Sequence, residues 1–104
     1  MVGPGLLESA YEESLCYELS RSGIPFRRQV DTTLRYDGIN LATGLRIDLL
    51  VDDKAIVEVK AVERLLAIHE AQLLTYLRCS GIRLGLLMNF NVRHFREGVR
   101  RRVL

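Results

Sequence analysis

Residues 82–90, IRLGLLMNF, are nearly all apolar, and they come after a long stretch with helical spacing. A short apolar run without polar alternation reads as a central strand covered on both faces. A strand entered through a helix lies parallel to a neighbour in its sheet, because the helix must carry the chain back across before the next strand can start. This one segment therefore asks for a sheet with helices packed on it, and excludes an all-helical or all-β fold.

The rest of the chain fills in the order. Gly3-Pro4-Gly5 is expected to open it as a turn. Over residues 6–21, Leu7, Tyr11, Leu15 and Leu19 form one helical seam, with Glu12, Glu13 and Arg21 mostly off it. Ser22-Gly23 and then Pro25 stop that helix. Residues 26–36 alternate as a strand, Asp37-Gly38 is a hairpin turn, and a second strand lies within 39–51, where Gly44 marks a bulge or bend. Asp52-Asp53-Lys54 turns the chain into a third strand, 55–60. Residues 62–80 read as a helix with Leu65, Leu66, Ile68, Leu73, Leu74 and Leu77 as its apolar positions and Gly81 as its cap. The segment after Asn91 is ambiguous between helix and irregular tail. The expectation is one α/β domain over residues 1–104, α-β-β-β-α-β, with a mixed four-stranded sheet flanked by helices and an antiparallel meander for its first three strands.

At 104 residues such a domain has little stability to spare, so a homodimer is an open alternative. No apolar run approaches the roughly 20 residues that span a bilayer, and no cationic-then-apolar leader opens the chain, so a soluble cytoplasmic protein with no membrane partner is expected. Cys16 and Cys79 are expected to be buried reduced thiols, and two thiols cannot supply the four ligands of an iron–sulfur or structural zinc site. A net charge of +2 does not itself announce nucleic acid. Its distribution says more: Arg93, Arg96, Arg100, Arg101 and Arg102, with His94 among them, crowd the last dozen residues as a solvated segment or a phosphate-facing patch.

The charged residues in RIDLLVDDKAIVEVK, 46–60, need an explanation, since a buried charge is costly unless paired or metal-bound. On the third strand Ile56, Glu58 and Lys60 share one face, while Ala55, Val57 and Val59 take the other and pack on a helix. A three-residue loop, 52–54, pairs Val51 with Ala55 and so Asp48 with Glu58; a two-residue loop pairs Asp48 with Val57 and turns its carboxylate away. The first arrangement, or a local bend with the same result, is expected. Two adjacent carboxylates then require a raised pKa, a cation such as Lys60, or a metal, and hard ions such as Mg²⁺ favour one or two carboxylates plus waters. The plain alternative is an exposed salt-bridge cluster. Only two lysines, Lys54 and Lys60, stand beside thirteen arginines, which draws attention to Lys60. His69, Gln72 and Tyr76 fall on one face of the second helix, either at a cleft or as a partly exposed polar edge. Glu8 borders the inward seam of the first helix, where an acidic residue also suits the helix dipole.

With these pieces placed, GLLESAY (Gly5, Glu8, Tyr11) resembles the signature of the GxxExxY proteins, and the resemblance runs through RIDLLVDDKAIVEVKAV, IHEAQLLTYL and GIRLGLLMNF, residues 3 to about 90. That family resembles the PD-(D/E)XK nuclease superfamily, whose core order is α-β-β-β-α-β. The resemblance implies that Asp48 is the motif's Asp, Glu58-Val59-Lys60 its ExK, and Gln72 and Tyr76 the QxxxY element of the exonuclease branch linked to recombination. Glu8 matches an acidic residue carried on the first helix. Ile47 stands where the motif has proline, and the iron–sulfur cysteines of some related exonucleases are missing. Family members carry a further helical segment before Gly-Pro-Gly, so the first helix is expected to lack a packing neighbour. The implied function is Mg²⁺- or Mn²⁺-dependent hydrolysis of nucleic acid, DNA ahead of RNA, with Asp48, Glu58, Lys60, Gln72 and Tyr76 as catalytic residues. Asp48, Glu58, the Val59 carbonyl and Glu8 would serve the metal, and the five C-terminal arginines the phosphates. A catalytically inactive binding or assembly module on the same fold is the alternative.

Overall fold

The computed structural model describes residues 4–90 and 98–104. Helix α1 (Pro4–Arg21) starts at the proline, where a turn was expected. Proline suits a first helical position because its φ is already helical and its missing N–H would be unpaired there anyway. The helix ends where expected, with Gly23 at φ 70° and the Ile24 N–H donating back to the Leu19 carbonyl at 2.9 Å.

Strands β1 (Phe26–Tyr36) and β2 (Ile39–Val51) pair antiparallel around Asp37 and Gly38, both at positive φ as a tight hairpin requires. Their register shifts between Asp31 and Thr33, opposite residues 43–45, so the irregularity falls at Gly44. Strand β3 (Ala55–Lys60) begins after a three-residue loop, with Val51 opposite Ala55. Helix α2 (Ala67–Ser80) then crosses over, and β4 (Leu84–Asn89) lies parallel to β3. Gly81 caps α2 at φ 77°.

Two further expectations are corrected. The second helix begins at Ala67, not Val62. The Leu66 N–H donates to His69 Nδ1 at 2.9 Å, which closes the first turn, and Leu66 and Ile68 are exposed. The sheet has five strands rather than four: β5 (Val99–Val103) pairs antiparallel with β4, giving the order β1-β2-β3-β4-β5. Arginine on a short edge strand blocks further pairing, so a run that resembles a solvated tail also makes a protected edge.

The core has two halves. On the α2 side Ile47, Leu50, Ile56, Leu73, Tyr76, Leu77 and Leu87 cluster. On the α1 side Leu49, Val57 and Val59 bury with Cys16, flanked by Tyr11 and Leu15. Each leucine removed fully from water contributes roughly 1.5–3 kcal/mol before conformational entropy is set against it. Cys16 and Cys79 are unpaired thiols, Cys16 buried and Cys79 half-buried. Among the described residues no helix is long and apolar enough to cross a membrane.

Candidate active site

The β2–β3 ladder runs from Val51–Ala55 to Leu49–Val57 and stops there. Continued by one step it sets Asp48 opposite Glu58, but the strands part at that point. Ile47 and Leu50, three residues apart, both pack on the α2 side, whereas Leu49 packs on the α1 side. Strict alternation would put Ile47 and Leu50 on opposite faces, so β2 turns over at Asp48. The two acids therefore meet through the split rather than side by side on one flat face. Each binds the other's strand: the Asp48 N–H donates to Glu58 Oε1 at 3.2 Å, and the Val59 N–H donates to Asp48 Oδ2 at 2.8 Å. The side chains do what a ladder would otherwise do, which is why the split does not leave orphaned backbone donors.

On the α1 side the split opens into a small polar cleft lined by Glu8, Ser9, Glu12, Gln29, Asp48 and Val59. Glu8 is half-buried there. Glu12, expected to lie off the seam, is instead 7% exposed. It accepts from Arg28 Nη2 and from Gln29 Nε2, each at 2.8 Å. Its partners are 16 and 17 residues away, so periodicity did not reveal it; its spacing of one turn from Glu8 was the one local signal.

Glu58 is only 3% exposed, which sets aside an exposed salt-bridge cluster. Burial, then the adjacent Asp48 carboxyl, pushes its pKa up to about 9, against a smaller downward pull from Lys60. Lys60 is half-buried and makes no ion pair among the described residues. Tyr76, 6% exposed, approaches the acids from α2: burial first, then Glu58 and Asp48, raises its pKa to about 12. Gln72 is half-buried one turn before Tyr76 and makes no hydrogen bond to either acid. The structure thus brings together Asp48, Glu58, Val59, Glu8, Lys60 and Tyr76, with Gln72 one turn beyond.

The basic residues divide. Arg93 and Arg96 lie outside the described residues. Arg100, Arg101 and Arg102 sit on β5, opposite Leu87, Leu86 and Gly85. Arg102 is ion-paired to Glu70 of α2, while Arg101 is exposed.

A crossover α/β sheet whose middle strands part around an Asp and an ExK acid is a recognisable pattern, and a family model of the PD-(D/E)XK nuclease superfamily matches residues 1–102. The chain belongs to that superfamily. Comparison with curated proteins and with solved structures returns no match. PD-(D/E)XK nucleases generally use divalent metals. Among the described residues no three His, Cys, Asp or Glu side chains form a ready-made cage. The donor set nonetheless fits a hard divalent ion of the Mg²⁺ kind, which needs few protein ligands, since two carboxyl groups and a backbone carbonyl lie at the split. A fifth strand and the Glu12–Arg28–Gln29 group are what this PD-(D/E)XK domain adds to the sequence-based reading.

Proposed function

We propose that this domain is a divalent-metal-dependent phosphodiesterase acting on nucleic acid, DNA ahead of RNA. One observation carries the reading: Asp48 and Glu58 meet in the strand split beside the cleft that holds Glu8. Asp48, Glu58 and the Val59 carbonyl would hold Mg²⁺ or Mn²⁺, with Glu8 anchoring its shell. When bound, the ion supplies a water of lowered pKa and positive charge for the attacked phosphate. Lys60 orients the attacking water or offsets charge growing at phosphorus. Gln72 and Tyr76 position the substrate or the Lys60 ammonium. Arg93, Arg96, Arg100, Arg101 and Arg102 contact phosphates without reading sequence.

A second reading, a binding or assembly module without turnover, draws on the engagement of both carboxylates by backbone N–H groups. Cleavage of single- and double-stranded DNA and RNA with Mg²⁺ or Mn²⁺ separates the two. The nuclease reading expects cleavage by the wild type and none by Asp48→Ala. Equal activity in both proteins, or none with any substrate, would remove it. Calorimetry with Mn²⁺ then decides whether the module still binds an ion.

A further inference from the structure

Gln29 is an exposed residue at φ 51°, in the left-handed region that side chains with a Cβ disfavour. It stands where β1 faces Asp48. The β1–β2 ladder pairs Arg28 with Leu49 and Val30 with Ile47, and skips Gln29–Asp48. With that pair skipped, the Asp48 N–H goes to Glu58 rather than to β1. A Gln29 in ordinary extended conformation would restore the missing pair, draw that N–H back to β1 and straighten the turn-over at Asp48. A disfavoured backbone state needs a compensating contact, and the Gln29 side-chain amide donates to the buried Glu12 carboxylate at 2.8 Å. Glu12 is itself fixed by Arg28, which also reaches Glu13 at 2.8 Å.

We propose that Glu12, acting through Gln29, is a positioning residue that holds Asp48 in the strand split. The functional meaning of this brace rests on the nuclease reading of Asp48; its geometry does not. Glycine takes positive φ without strain, whereas alanine does not. Gln29→Gly should therefore keep the kink without help, and Gln29→Ala should lose it although both remove the same contact with Glu12.

The test is amide hydrogen exchange by NMR on the metal-free full chain. Protection at the Val59 amide, whose acceptor is the Asp48 carboxylate, should fall by about tenfold in Gln29→Ala and in Glu12→Ala, the loss of one hydrogen bond, while the Asp48 amide, drawn back to β1, stays protected. Leu50 and Leu87 should not change. Gln29→Gly should match the wild type, and so should Glu12→Gln, which retains an oxygen acceptor for Gln29. Equal exchange in the Gly and Ala variants, or equal loss in Glu12→Gln and Glu12→Ala, would overturn the brace. Because Gln29 is exposed, its two variants decide the matter even if Glu12→Ala fails to fold. A parallel Mn²⁺ titration by calorimetry should show about 10–100-fold weaker binding in Gln29→Ala and near wild-type binding in Gln29→Gly. Wild-type protein that takes up no Mn²⁺ while showing the expected exchange pattern would support the brace and overturn the nuclease reading.

Discussion

Asn89 and Val62 hold each other twice: the Asn89 amide nitrogen donates to the Val62 carbonyl at 2.9 Å, and the Val62 N–H donates to the Asn89 side-chain oxygen at 3.0 Å. Beside them the Phe90 N–H donates to the Lys60 carbonyl at 2.9 Å. The chain is thus pinned to β4 directly after Lys60, and Asn89 is 1% exposed. Asn89→Leu would leave two backbone groups of Val62 without their partner, at about 1–3 kcal/mol each where water cannot replace it. A loss of roughly 2–4 kcal/mol in urea denaturation is expected. A loss within the ±0.5 kcal/mol or so typical of surface changes would show that the segment after Lys60 does not depend on this clasp.

Glu58 gives a pH dependence of defined sign. Its folded pKa, about 9, lies above the ordinary value of 4.5. Below the ordinary value both states carry the proton, and stability is complete. As pH rises through the window between the two values, the unfolded chain releases the proton while the folded chain retains it, so stability falls. Above pH of about 9 the folded state is ionised too and the decline ends. In the presence of a chelator the urea midpoint should drop from pH 5 to about pH 9, and Glu58→Gln should flatten that slope. Parallel slopes for the two proteins would contradict a proton held at this site.

The fold was legible in the sequence wherever local chemistry decided it. Asp37-Gly38, the loop 52–54 and Gly81 set turns whose backbone angles leave few alternatives. The apolar run 82–90 dictated the crossover, and β4 occupies its centre. The failures share one cause, partners far away in sequence. Val62 to Leu66 are apolar enough to extend a helix, but Asn89, 27 residues on, holds Val62 outside it. Glu12 has an exposed residue's chemistry and is buried by Arg28 and Gln29. The three-residue loop is the expected one, and the acids meet through a bend rather than through plain alternation; only the residue at which β2 turns over was not legible. The arginines of β5 carry no apolar alternation, and only β4 shows that they form a strand.

Gly85 is where α2 rests on the sheet. A Cβ built there would lie 2.8 Å from Leu73 Cδ1 and 3.0 Å from Leu73 Cγ. Leu73 is fully buried, so it would have to shift within the core to admit the extra methyl group. Gly85→Ala should destabilise by about 1–3 kcal/mol, the usual cost of overpacking. Pairing it with Leu73→Val should recover part of that loss, since neighbours in contact are not additive. The comparison is made on thermal midpoints of the two singles and the double. Simple additivity would place the strain elsewhere.

The β5 arginines should contribute unequally to nucleic-acid binding. Arg102 faces α2, and its guanidinium is tied to Glu70. Arg101 sits opposite Leu86, projects to the other side of the sheet, and is exposed. A phosphate contact made by Arg101 displaces only water and counterions, whereas Arg102 must first leave a carboxylate. For a single-stranded oligonucleotide followed by fluorescence anisotropy across a salt series, Arg101→Ala should lower the log–log salt slope by about 0.7, one phosphate's share. Arg102→Ala should change the slope less and cost about 0–1 kcal/mol of stability through the lost pair. An Arg102→Ala effect on the slope as large as that of Arg101→Ala would mean that the ion pair opens on binding and that both sides of β5 reach the phosphates.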